Sequence, residues 1–342
     1  MTSDAGEREK AREAWLSSRV EDALDPSQPI IDCHHHLWDR QGHTYLSDQF
    51  LADAGGGDKD GGHKLRASVY VECLNNYRQS GDPDLRPVGE TEFVVSETSK
   101  SRQHNPGLCD GIIGFADLAL GDAVGRVLEA HEEAGEGRFK GVRYATAHDP
   151  DPKIHSAYKT HPEMLGEQAV RDGVRVLARR NLSLDVWVYF HQIREVGDLA
   201  AACPETAIIL NHCGGPIGIG CYSDKRDEVF ATWRAALQNL AGRDNVFVKF
   251  GGLAMALAGF GWHRRESPPA SEILANAWRP YFETCIETFG ADRLMFESNF
   301  PVDRAGCSYT ILWNAFKRLA ADLSGAERTA ALGETAARVY RL

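Results

Sequence analysis

No stretch of about 18 or more apolar residues occurs in this 342-residue chain, so a membrane-spanning helix is not expected. Basic residues are in deficit: 38 Lys and Arg against 49 Asp and Glu leave a formal net charge of −11. A nucleic-acid surface needs a basic stripe, so that class of partner is excluded. The eight cysteines (33, 73, 109, 203, 213, 221, 285 and 307) include no Cys-x-x-Cys pair. Scattered thiols in a large chain read as reduced and individually placed, not as a disulfide framework. The N-terminal segment, with Asp4, Glu7, Arg8, Glu9 and Lys10, lacks the apolar core of a signal peptide. The cytoplasm is therefore the expected location. Two nucleophile or phosphate motifs are also missing. There is no Gly-x-Ser-x-Gly elbow, and Gly55-Gly56-Gly57 lacks the Gly-Lys-Ser/Thr ending of a phosphate loop.

What is present is ordinary globular composition, 43% apolar and 25% charged. The length suits one α/β barrel with insertions. Residues 5–24 read as a charged helix, with Ala11, Ala14, Trp15 and Val20 as a docking stripe and Pro26 and Pro29 ending it. Residues 1–28 are assigned to this N-terminal helical extension and residues 29–342 to the main domain. The glycine- and aspartate-rich residues 52–63 read as a surface loop. Strands are expected from Ile30-Ile31 and at residues 67–73, 111–118, 139–144, 182–190, 207–212, 246–251 and 294–299. Residues 122–134, 164–180, 226–241 and 270–289 have helical apolar spacing. Strands alternating with helices favour a parallel sheet, and eight such units favour a closed (β/α)₈ barrel of the TIM type.

The first strand runs into Asp32-Cys33-His34-His35-His36. Strict alternation would put Asp32, His34 and His36 on one face and Cys33 and His35 on the other. Two imidazoles two residues apart at a barrel mouth are suited to holding a divalent metal such as zinc. The structural alternative is a polar cluster that caps the strand end.

This Asp-x-His-x-His pattern, with Asn211-His212-Cys213-Gly214-Gly215-Pro216 later in the chain, resembles the amidohydrolase superfamily of metal-dependent barrel hydrolases. More narrowly it is similar to the "amidohydrolase 2" branch, which includes sugar and muconate-type lactonases and some decarboxylases. Matching segments lie at residues 31–38, 69–73, 87–94, 139–143, 182–189, 210–216 and 295–303. The resemblance implies His34, His36 and His212 as metal ligands. It places a further ligand near the end of the fifth strand, where this chain has His191, one place beyond the branch's own histidine position. The superfamily's eighth-strand aspartate is replaced by Asn299 in Glu297-Ser298-Asn299-Phe300-Pro301. An amide cannot act as a carboxylate base, although its oxygen can orient a water. Glu297, or Glu72 at the end of the second strand, is the candidate replacement; either is also placed to pair with Lys140, Arg143 or Lys249.

Arg143 and Arg78 are candidate receivers of an anionic substrate group, because a guanidinium forks onto a carboxylate. His263, in the aromatic stretch after the seventh strand, is a candidate substrate wall. The expected reaction is metal-assisted opening of a lactone or cyclic ester of a small carboxylated molecule. The expected cofactor is one divalent metal, zinc before manganese, with a metal-free mechanism left open. The alternatives are non-oxidative decarboxylation of an aromatic acid and a non-catalytic barrel that lost the aspartate. A homo-oligomer is compatible with all of these.

Overall fold

Residue by residue, the first barrel strand shows how the chain makes both a core and a site. In this computed structural model, which describes residues 2–40, 43–55 and 62–342, β1 spans Pro29–His35. Ile31 and Cys33 pack in the barrel interior with Val69, Val71, Ile113, Ile209 and Met295. Asp32 turns instead to the helix layer, where Tyr309 of helix Tyr309–Leu319 donates to it. His35 also faces outward, stacked on Phe50 with 3.9 Å between centroids. The pairing of β1 slips between Asp32 and His35. This bulge lets His34 leave the strict alternation. The expectation that Asp32 shares a face with His34 and His36 is thereby corrected.

Besides a short antiparallel pair, Trp38–Arg40 with His43–Tyr45, the described residues form seven more strands, all in the barrel: β2 Lys64–Val71, β3 Gly111–Gly114, β4 Phe139–Ala145, β5 Ser183–Trp187, β6 Ile208–Leu210, β7 Val246–Phe250 and β8 Leu294–Phe296. The barrel strands all pair in parallel, each with its neighbour in the barrel. The ring closes where His36 N–H donates to Phe300 O (2.7 Å) and Asn299 N–H to His34 O (2.8 Å). Asp32 staples the same seam, accepting from the backbone N–H of Ser298 at 2.9 Å and of His34 at 3.3 Å. Burial raises its carboxyl to about 6 against these hydrogen bonds. The expected (β/α)₈ barrel is present. Helices Gly125–Ala134, Gln168–Arg179, Arg226–Leu240 and Ser271–Phe289 pack outside it. Tyr340, on the C-terminal helix, plugs the interior from the opposite end and donates to Asp185.

Several strands end earlier than their apolar runs. Residues 207–212 and 294–299 were expected as strands, but His212, Cys213 and Asn299 have φ of 51°, 43° and 54°. A left-handed residue cannot continue a strand, and such strain concentrates at functional sites. The extension also departs from expectation, because its helix is Thr2–Ser17. Beyond it, tertiary side chains take the backbone: Asn314 accepts from Leu24 N–H, and Lys317 donates to Leu24 O and Asp25 O. Ala11, Ala14 and Val20 are exposed, so they form no docking stripe. The helix is instead held by buried Leu16, by Trp15 donating to Arg265 O, and by Glu9 and Glu13 on Arg304.

All eight cysteines are free. No helix among the described residues is long and apolar enough to cross a membrane. Of the expected loop at 52–63, residues 56–61 lie outside the described residues, and Ser47–Ala54 is helix.

Candidate active site

The C-terminal ends of the strands bring His34, His36, His212, Glu297 and Asn299 to one centre, closed to solvent: His34 is 0% exposed, His36 3%, His212 4% and Asn299 1%. The His34 ring lies in the middle, 4.9 Å from that of His36 and 4.6 Å from that of His212. Glu297 reaches two of the three rings. Its Oε1 is 2.6 Å from His212 Nδ1, and its Oε2 is 2.9 Å from His34 Nδ1. His34, His212 and Glu297 each offer an atom within 4.8 Å of the others.

Room for this arrangement comes from the turn after β7. A Cβ on Gly251 would come within 2.4 Å of Glu297 Cγ. One on Gly252, at φ +70°, would come within 2.7 to 2.9 Å of the His212 side chain. These glycines are dictated by close approach and backbone conformation together.

The donor chemistry fits a cation. His36 Nδ1 donates to Val71 O at 2.7 Å, so its Nε2 carries a lone pair. That lone pair faces Asn299 Oδ1 at 3.3 Å. The amide is held in this orientation because its Nδ2 donates to Asp303 Oδ1 at 2.9 Å. His34 Nε2 is buried with no hydrogen-bond partner. Protonating the rings does not resolve this crowding of acceptors. Burial holds His34 and His36 well below the usual imidazole range, with Lys249 next for His34 and Arg143 next for His36. The ligand atoms of His34, His212 and Glu297 lie close enough together to hold a divalent ion, and His36 and Asn299 stand beside that group.

Two ionic networks flank the centre. Lys249 Nζ bonds Asp185 Oδ2 at 2.6 Å, with both side chains wholly buried, and also lies 3.5 Å from His34 Nδ1. Arg143 donates through Nε to Glu72 Oε1 at 2.8 Å, through Nη2 to Glu72 O, and through Nη2 to the Tyr158 hydroxyl at 2.7 Å. Tyr158 in turn donates to Glu72 Oε1 at 2.8 Å. Its ring also lines an open cavity of about 460 Å³ with Leu74, Phe115 and Tyr144.

The remaining candidates lie apart. His191 is exposed on the short helix Phe190–Gln192, facing His148 O and stacked on Tyr222. The fifth-strand residue that meets His212 is Trp187, edge to face at 4.7 Å. Arg78 forms an exposed pair with Glu92. His263 is exposed beside Arg264. Lys140 donates to Gly137 O and Arg341 O, away from either glutamate. Sequence reasoning passed over Asp185, Asp303 and Tyr158 and gave Lys249 no role of its own. Asp185 and Lys249 had a legible signal: each is a charged residue inside a short apolar strand.

An eight-stranded parallel barrel with a histidine centre at the C-terminal ends of its strands is the architecture of a barrel enzyme, whose active site sits at that face. Residues 31–342 match the family model described as amidohydrolase, and the chain belongs to that family. It is 33% identical over 335 residues to the uncharacterised protein y4mH of Sinorhizobium fredii, covering 92% of this chain and 98% of the relative. It is 34% identical over 236 residues to an L-fucono-1,5-lactonase of Burkholderia multivorans, covering 68% of this chain and 71% of that enzyme. A crystal structure of a Burkholderia multivorans amidohydrolase with bound zinc superimposes with a TM-score of 0.68 at 25% identity, covering 92% of this chain and 99% of that one. The family and its lactonase members support a hydrolase.

Proposed function

We propose that the protein is a metal-assisted lactonase that opens a lactone or cyclic ester of a small carboxylated molecule. The observation that carries this reading is the meeting of His34, His212 and Glu297 within 4.8 Å, with the His36 ring 4.9 Å from that of His34 and Asn299 beside it. The similarity to L-fucono-1,5-lactonase supports the ester class.

His34, His36 and His212 would hold one divalent ion, zinc in the first instance, with the Asn299 oxygen adjacent. Such an ion, when bound, lowers the pKa of a water and polarises a carbonyl. Asn299 contributes an acceptor whose direction is set by Asp303, which orients a nucleophilic water without deprotonating it. The near-complete burial of the centre excludes bulk water and strengthens every charge interaction within it. Arg143 is the reading's anion receiver. A substrate carboxylate arriving where the Tyr158 hydroxyl now sits would meet Nη2 of Arg143.

The test pairs elemental analysis of the purified protein with turnover on a panel of sugar lactones, aryl esters and amides, before and after chelation. Near one zinc or manganese per chain, with lactone opening lost on chelation and restored by metal, is the expected result. Full lactonase activity in metal-free protein overturns the metal; turnover of no lactone overturns the reaction.

A further inference from the structure

Glu297 looks at first like the carboxylate that Asn299 is not, available as ligand or base. Its surroundings give it a different task. Oε1 is committed to His212, 2.6 Å from its Nδ1 and accepting its backbone N–H at 2.9 Å, while Oε2 stands 2.9 Å from His34 Nδ1 without a hydrogen-bond partner.

Two ligand atoms on one tetrahedral zinc, each about 2.0 to 2.2 Å from it, stand about 3.3 to 3.6 Å apart. Both observed separations are shorter than that, and the one to His212 is a hydrogen bond. A carboxylate oxygen facing an imidazole nitrogen at 2.6 Å needs a proton between them, so His212 carries its hydrogen on Nδ1. For His34 the carboxylate lies off the line of the ring N–H. The opposite tautomer is worse: it would set the Nδ1 lone pair against Oε2 and leave an N–H on Nε2, which is buried without a partner. Lys249 does not reverse this, since its ammonium bonds Asp185 at 2.6 Å and stands 3.5 Å from His34 Nδ1. His36 reaches the same tautomer by another route, its Nδ1 proton going to Val71 O.

We propose that Glu297 is a positioning residue that holds the Nδ1 protons of His34 and His212, so that both rings, like His36, present an unprotonated Nε2 as ligand. It is neither a metal ligand nor the general base. Its connection to metal binding rests on the function proposed above; the tautomer assignment does not.

The experiment is ¹⁵N NMR of the metal-free full-length protein with labelled histidine, followed by zinc affinity from chelator competition, for wild type, Glu297→Gln and Glu297→Asp. Wild type is expected to show the Nδ1–H tautomer at His34 and His212. In Glu297→Gln the amide accepts at one oxygen but donates at its nitrogen, so one histidine changes tautomer and zinc affinity falls about 10- to 100-fold. Glu297→Asp retains the tautomers and recovers part of the affinity. Nε2–H tautomers in wild type, or a Gln variant that binds zinc as wild type does, overturn the assignment. Should the Gln variant fail to fold, the wild-type tautomers decide alone. Wild type with the expected tautomers but no zinc uptake overturns the metal reading and leaves this one standing.

Discussion

Replacing Lys249 by methionine tests the ionic layer beneath the histidine centre. The substitution keeps the chain length and removes the charge from a pair in which neither side chain is exposed. Asp185 would retain Asn211 Nδ2 at 2.8 Å and the Tyr340 hydroxyl at 2.9 and 3.2 Å, both neutral donors. Breaking a buried ion pair from one side costs about 3 to 5 kcal/mol, because the remaining charge has lost its counter-ion but not its desolvation. For a chain of this length the unfolding entropy is about 0.7 kcal/mol/K, from about 2.1 cal/mol/K per residue. The melting temperature should therefore fall by about 4 to 7 °C, read by scanning calorimetry at neutral pH. Adding Asp185→Asn removes the stranded charge, and the double variant should lose clearly less than the sum of the two single changes. A Lys249→Met melt within about 1 °C of wild type, or strict additivity in the double variant, would refute the reasoning.

Gly252→Ala should abolish metal uptake and turnover together, since the new Cβ would sit within 2.9 Å of the His212 ring at a φ of +70°; elemental analysis and a lactone assay check both. Arg143→Lys removes the fork onto Glu72 and Tyr158. It should raise KM for carboxylated substrates by about tenfold or more while leaving zinc content unchanged, and an unaltered KM would count against Arg143 as anion receiver.

Acid sensitivity should come in part from His131. Burial lowers its pKa from 6.5 to about 4, with Thr91 at Nδ1 and Phe115 O at Nε2. Here the unfolded chain binds the proton more readily, so stability rises with pH. The contribution is complete above about 6.5 and falls as pH drops towards 4, by about 3 kcal/mol in total. Urea midpoints across this window should fall less steeply in His131→Gln than in wild type, and parallel slopes would dismiss the group.

The alternation of apolar runs with helical spacing was enough to specify the barrel, because burying eight parallel strands leaves a signal spread along the whole chain. His34, His36 and His212 were legible for a related reason: each closes an apolar run, and a strand end of a barrel is its mouth. Asn299 was legible as a departure, a neutral amide where the family resemblance implies an aspartate.

Tertiary structure alone decided the partners. The bulge in β1 turned Asp32 from a presumed companion of the histidines into the staple of the barrel seam, because pairing slip is invisible to a period-two reading. It set His191 outside the centre, since the chain leaves β5 at Trp187 before that histidine is reached. It also joined residues far apart in sequence: Asp185 with Lys249, Glu72 with Arg143 and Tyr158, and Glu297 with two histidines. A sequence states which groups a chain can bring. Their partners depend on distances of a few ångströms across the barrel, and those distances fix tautomer, charge and access.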